Sequence, residues 1–245
     1  MGKMTPLKID IYADGADVNE MLDALKQPYI KGFTTNPTLM RKAGVTDYEA
    51  FASKVLAHIK DLPISFEVFS DDFDEMERQA RLIDSWGPNV YVKIPVTNTT
   101  GVFAGEVIRA LAKDGIKLNV TALLTLDQVW EVAGVLEADV PAIVSVFAGR
   151  IADTGVDPLP IMKESLQILK LRPQAKLLWA SPRELLNLVQ ADQIGCHVIT
   201  VTPDILKKLP MLGKDLAQLS LETVQMFDND AQKAGFSLRT GSMLA

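Results

Sequence analysis

The sequence predicts an α/β protein: a single (β/α)8 barrel of the TIM barrel class, with an additional C-terminal helix. Three observations carry this. Short β-branched runs alternate with amphipathic stretches along the chain, the pattern of a parallel sheet. The alternation repeats eight times, in units of about 25 to 30 residues. No G-x-G-x-x-G follows the first strand, as the rival doubly wound sheet would invite. On this reading residues 1–212 form the barrel. Residues 213–245 form the C-terminal helix and tail, part of the same domain and a candidate for oligomerisation.

Each element has a local reason. The first strand runs from Leu7 to Ala13, rich in β-branched and aromatic residues, and ends at Asp14-Gly15. Asp17 can cap the helix Val18–Lys26, whose apolar Val18, Met21, Leu22 and Leu25 fall at helical spacing. Gly32–Thr35 is a short strand stopped by Asn36-Pro37, and Pro37 suits the first position of the next helix. Tyr48–Ile59 is helical and Ile64–Phe69 a strand. Phe73–Trp86 is a helix whose acidic start suits its dipole. The pattern then repeats. The strands are Val90–Ile94, Lys117–Thr121, Ala142–Phe147, Lys176–Ala180 and His197–Val201. The helices after them are Val102–Ala112, Leu126–Leu136, Leu159–Leu171, Arg183–Val189 and Pro203–Leu209. A last helix, about Lys214–Lys233, has no strand after it.

Composition narrows the function. A lone Cys196 allows neither an internal disulfide nor a cysteine-based zinc site. With two histidines and no H-E-x-x-H, no metal site is expected. Twenty-five Lys and Arg against 31 Asp and Glu give a net charge of −6, without the basic footprint of a nucleic-acid binder. No apolar run reaches the length needed to span a bilayer. The segment Met1–Asp14 lacks the apolar core of a signal peptide. A cytoplasmic protein with small-molecule partners, and no membrane or nucleic-acid partner, is the expectation.

In such a barrel the chemistry sits at the strand C-termini. Polar residues gather there: Asp14, Thr34 with Asn36, Glu67, Lys93, Asn119 with Thr121, Ser145 with Arg150, Ser181 with Arg183, and Thr200 with Thr202. Lys93 stands out in the otherwise apolar Val90–Pro95. It shares its parity with Tyr91, so both point the same way. If that way is inward, an enclosed lysine becomes an amine able to form a Schiff base; a barrel-centre ion pair with Glu67 is the alternative. Asp14 and Glu67 could move protons around it, or pair and cap. Arg150 and Arg183 follow successive strands and could form an anion pocket, or lie solvated on the surface. His58 reads as structural, His197 as buried, and Met21, Met40 and Met76 as core.

Six short stretches then resemble the transaldolase family. They are Ala13-Asp14-Gly15-Ala16-Asp17, Thr34-Thr35-Asn36-Pro37, Val92-Lys93-Ile94-Pro95, Asn119-Val120-Thr121, Ser145-Val146-Phe147-Ala148-Gly149-Arg150-Ile151 and Ala180-Ser181-Pro182-Arg183. They occur in the family's order across most of the chain. The compact length is similar to the small transaldolase and fructose-6-phosphate aldolase subfamily. The resemblance implies that Lys93 is the Schiff-base lysine and Asp14 the acid–base at the bond being broken. It implies that Glu67 acts through a bound water that Thr121 helps to hold. Thr34, Asn36, Asn119 and Ser145 would line the dihydroxyacetone part of a substrate, and Arg150, Ser181 and Arg183 its phosphate. No metal or organic cofactor is implied.

The resemblance also discriminates within the family. The aldolase type is similar to a pattern with Gln where this chain has Glu67 and Tyr where it has Phe147. Two departures are visible. Ser181-Pro182-Arg183 lacks the commoner Phe before the Arg, which opens the end group to a sulfonate or another anion. Gly15 replaces the usual Thr after the catalytic Asp.

The C-terminal helix carries Leu216, Leu219, Leu221, Val224, Met226 and Phe227, a wider apolar arc than one buried face needs. Leu238 and Leu244 add apolar bulk to the tail. A homo-oligomer is expected. The resemblance points the same way, to decamers in which C-terminal helices reach neighbouring subunits.

Overall fold

The computed structural model describes residues 7–238. Eight parallel strands close into a barrel in sequence order, β1 pairing with both β2 and β8. The strands are β1 Asp10–Asp14, β2 Ile30–Thr34, β3 Ile64–Glu67, β4 Val90–Pro95, β5 Leu118–Leu123, β6 Ala142–Val146, β7 Ala175–Trp179 and β8 Val198–Val201. Helices α1 Val18–Leu25, α2 Pro37–Lys42, α3 Tyr48–Leu56, α4 Phe73–Asp84, α5 Gly105–Lys113 and α6 Leu126–Val135 join the first six strands. Helices α7 Ala148–Asp153, α8 Leu159–Ile168, α9 Leu186–Gln193 and α10 Pro203–Leu206 follow. The two-layer alternation explains the runs of wholly apolar strand: every residue of β6 is buried, between the barrel interior and the helices.

Caps set the helix starts. Asp17 accepts from Glu20 N–H as expected, and Asn36, Asp47 and Asp72 do the same for α2, α3 and α4. On α4, Met76, Ala80 and Ile83 are buried at intervals of about one turn, the stripe that faces the sheet. Met21, Met40 and Met76 are all core.

Several boundaries differ from the sequence reading. The helix expected from Val102 begins at Gly105, because Phe103 makes a bridge with Thr97 first. The helix expected from Arg183 begins at Leu186, after a loop in which Asn187 Oδ1 accepts from Arg183 N–H. The helix α7 was not expected. His197 is exposed rather than buried: it sits just before β8, where its Nδ1 accepts from Leu177 N–H.

Inward-facing residues alternate with outward ones along each strand. Near the N-terminal end Tyr12, Ile143, Leu178 and Val198 pack together, with Tyr91 against them. Gly32 makes room for this plug, since a Cβ there would lie 2.6 Å from the Tyr12 ring. Two residues further along β1, β4, β6 and β8 come Asp14, Lys93, Ser145 and Thr200. The interior is therefore apolar and filled below, polar above.

Leu7–Lys208 forms one compact unit, and a second begins at Leu209. Its principal element is α11, Leu216–Ala234, capped by Asp215 and ended by Gly235 in the left-handed conformation. No residue of α11 is buried; Leu216, Val224 and Phe227 are all exposed. Leu238 is exposed too, and Leu244 lies outside the described residues. No described helix is long and apolar enough to cross a membrane.

Candidate active site

Strand register assembles the site. Glu67 on β3 lies beside Lys93 on β4, Lys93 beside Asn119 on β5, and Asp14 on β1 beside Thr34 on β2. A cavity of about 440 Å3 opens over them at the C-terminal end of the barrel. It is lined by Asp14, Thr34, Asn36, Glu67, Lys93, Asn119, Thr121, Ser145, Phe147, Arg150 and Ser181, all residues singled out from the sequence. Arg183 is the exception; Thr200, picked out only as a polar strand end, joins the lining, and Ala122 and Leu178 are additions.

Lys93 points inward, the direction it shares with Tyr91, and is only 7% exposed. Its Nζ donates to the carbonyl of Thr35 at 3.1 Å and pairs with Glu67 Oε2 at 3.1 Å. Both sequence readings of Lys93 are thus compatible with its position: an enclosed amine, held by a carboxylate. Tyr48, which the sequence analysis passed over, donates its hydroxyl to the Glu67 carbonyl at 2.9 Å and so anchors the end of β3.

Asp14 is the second acid. Burial pushes its carboxyl above the usual aspartate range, and the Glu67 charge adds to this. The Lys93 ammonium and hydrogen bonds from Thr34 and Asn36 oppose the rise without cancelling it. Asn36 is held for this task, because its Oδ1 accepts from Leu39 N–H at the start of α2.

A buried hydrogen-bonded row crosses the floor. Ser145 Oγ donates to Asn119 Oδ1 at 2.7 Å, and Asn119 Nδ2 donates to Ser65 Oγ at 2.9 Å. The orientation of the Asn119 amide follows, as its oxygen must face Ser145 if its nitrogen faces Ser65. Thr121 is different: its Oγ1 is buried and has no protein partner. A buried hydroxyl in a polar, roomy site is a natural place for water. β5 is irregular here. The register shifts between Val120 and Leu123, and Ala122 adopts φ 65°. That irregularity lets the consecutive residues Thr121 and Ala122 both line the cavity.

The outer end is built by α7 and the β7–α9 connection. A Cβ on Gly149 would fall 1.5 Å from the Ser181 carbonyl oxygen, so only glycine permits the contact. Ser181 itself has φ 57°, a conformation costly for a non-glycine residue and held here by its surroundings. The contact sets Ser181 and Arg150 on one rim. The Arg150 guanidinium lies 5.6 Å from the centre of the Phe147 ring. Arg183 instead binds Asp153 through both carboxylate oxygens, with Nε to Oδ1 at 3.0 Å. That pairing holds the Asp153 carboxyl below its usual range. Among the described residues, no three His, Cys, Asp or Glu side chains are grouped to hold a metal ion.

Comparison with known proteins gives the family. The sequence model of the transaldolase/fructose-6-phosphate aldolase family matches residues 11–238. A protein of Thermoanaerobacter sp. named "Probable transaldolase" is 34% identical over 229 residues, 93% of this chain and 99% of its own. Proteins of the same name from Dehalococcoides mccartyi and Roseiflexus castenholzii are 34% and 36% identical, over 81% and 82% of this chain and 89% and 88% of theirs. The fold also resembles 3-keto-L-gulonate-6-phosphate decarboxylase from Vibrio cholerae, with a TM-score of 0.53 at 12% identity, covering 81% of this chain and 89% of that one. At that identity the likeness concerns the barrel alone.

Proposed function

The chain belongs to the transaldolase/fructose-6-phosphate aldolase family and is an enzyme of transaldolase type, and from that premise we propose that it transfers a dihydroxyacetone unit between sugar phosphates through a Schiff base on Lys93. The observation that carries the reading is a buried lysine amine, within 3.1 Å of a carboxylate, in one cavity with a second carboxylate of raised pKa.

The residues divide the work. The Lys93 amine adds to the ketose C2 carbonyl, and the carbinolamine loses water to give an iminium. Glu67 and the free hydroxyl of Thr121 face the same cavity and hold the water that leaves and later returns. Asp14 takes the proton of the C4 hydroxyl as the C3–C4 bond breaks, and the electron pair passes into the iminium to form an enamine. An aldose phosphate departs. Asp14 keeps the proton while the fragment waits, which a raised pKa favours. A second aldose phosphate accepts C3 of the enamine, and the proton returns to the new alkoxide. Water then releases the product from Lys93. Asn119 and Ser145 hydrogen-bond the dihydroxyacetone hydroxyls, and Arg150 with Ser181 binds the phosphate, assisted by Arg183. Transfer is favoured over release of free dihydroxyacetone by Glu67 and Phe147. We propose in addition that the apolar residues of α11 are covered by a second copy of the chain.

Two measurements test the reading. Borohydride reduction in the presence of fructose 6-phosphate should leave a dihydroxyacetone adduct on Lys93. Fructose 6-phosphate should turn over far faster with erythrose 4-phosphate than alone. Dihydroxyacetone released at a comparable rate without acceptor would make the protein an aldolase instead.

A further inference from the structure

Asp14 has few donors. Gly15, next in the chain, has no side chain to offer it. Asn36 also favours the carboxylate, but its amide oxygen is committed to capping α2. Thr34 donates through Oγ1 to Asp14 Oδ1 at 2.8 Å. A threonine hydroxyl carries one hydrogen, and an ionised carboxylate can only accept. With Asp14 ionised, Thr34 therefore spends its hydrogen on Asp14. Geometry alone lets either oxygen donate at its second contact, with Thr200 Oγ1; with Asp14 ionised, Thr34 accepts there and Thr200 donates.

Thr200 is 6% exposed and comes from β8, on the other side of β1 from Thr34. We infer that Thr200 is a positioning residue for Asp14, acting through the hydroxyl of Thr34; the inference rests on the acid–base role proposed above. The device suits a group that must gain and lose a proton. With Asp14 ionised, the hydrogens run from Thr200 to Thr34 to Asp14. With Asp14 protonated, they can run the other way, Asp14 donating to Thr34 and Thr34 to Thr200. Both states are hydrogen-bonded, and only two hydroxyl rotations separate them. The polarised Thr34 hydroxyl favours the carboxylate and opposes part of the burial penalty.

The charged groups facing Asp14 are Lys93 from β4 and Glu67 from β3. On its outer side Glu20 and Asp23 of α1 and Lys207 line a cleft that Asp14 also borders. Substitution of the uncharged Thr200 leaves all five in place.

The test is Thr200→Val against Thr200→Ser, with Thr200→Ala as the substitute should the valine variant fail to fold. The Asp14 carboxyl is titrated by carbon NMR in the full chain, and the pH profile of kcat/KM is measured with fructose 6-phosphate and erythrose 4-phosphate. Loss of one hydrogen bond in the relay should move the Asp14 midpoint and the acid limb upward together, by half to one pH unit, or about threefold to tenfold in kcat/KM on that limb. Thr200→Ser should restore both. An Asp14 midpoint identical in wild type, Thr200→Val and Thr200→Ala overturns the inference. Failure of the functional reading is a separate result, absence of the borohydride adduct in wild type, and leaves the NMR titration to decide the role of Thr200.

Discussion

Replacing Lys93 with methionine tests the centre of the site most directly. The substitution keeps an unbranched stem in the interior and removes the amine. Turnover and the borohydride adduct should both vanish, because no other group in the cavity can form the iminium. The electrostatic cost can be worked from the geometry. Glu67 loses its partner at 3.1 Å, in a pair whose side chains are 9% and 17% exposed. A charge-assisted hydrogen bond of this kind is worth about 1.5–3 kcal/mol. With a urea m-value of about 2–3 kcal/mol per molar, the unfolding midpoint should fall by roughly 0.5–1.5 M. Lys93 is also the chief influence favouring the Asp14 carboxylate, so Asp14 should titrate higher still in the variant.

The sign of the pH dependence follows. A carboxyl whose folded pKa lies above its unfolded value costs nothing in acid, where both states are protonated. Its cost grows as pH rises from the unfolded pKa and is complete above the folded one. The deficit of Lys93→Met should therefore be smaller near pH 4 than near pH 7. Urea unfolding at the two pH values, with assays on the same samples, reads both effects. A tenth of wild-type turnover remaining would refute the nucleophile assignment. Equal destabilisation at the two pH values would refute the electrostatic account.

Arg150→Ala should raise KM for fructose 6-phosphate about tenfold to a hundredfold with kcat largely kept, the loss of one charge-assisted phosphate contact; Arg183→Ala should do less, because Asp153 already occupies its guanidinium. An unchanged KM in Arg150→Ala would remove that residue from the site. Gly149→Ala should cost more than about 2 kcal/mol, since the new Cβ meets a backbone carbonyl rather than a pliable side chain; a thermal melt matching wild type would contradict it. Full-length protein should scatter light as an oligomer and lose that state when cut after Met211, whereas a monomer of about the 26.8 kDa chain mass at micromolar concentration would sink the proposal for α11.

The barrel was legible because each of its signals is local. The strand runs, the caps at Asp17 and Asn36, and the parity of Lys93 all lie within a few residues of what they predict. The helix α7 was invisible for the opposite reason. It has six residues and no side-chain cap on Phe147, so nothing separates it from the loop around it. The left-handed turn at Ala122 carries no glycine to announce it. Thr200 was noticed as a polar residue at a strand end. Its hydroxyl partner lies 166 residues away, and no spacing rule reaches that far. Arg183 shows the same limit, because Asp153, 30 residues earlier, decides where its guanidinium points.

The seam between β1 and β8 has a consequence for how the molecule comes into being. Contacts of long sequence separation carry the largest loop-closure entropy and form at the expense of folding speed. The Lys93–Glu67 pair joins neighbouring strands and closes only a short loop. Thr200 reaches Thr34, and through it Asp14, only when the two ends of the barrel meet. On the roles proposed above, the lysine and its carboxylate partner form a local pair, whereas the row that orients the acid spans the seam of the ring. The Thr200–Thr34–Asp14 row is complete only with closure of the ring.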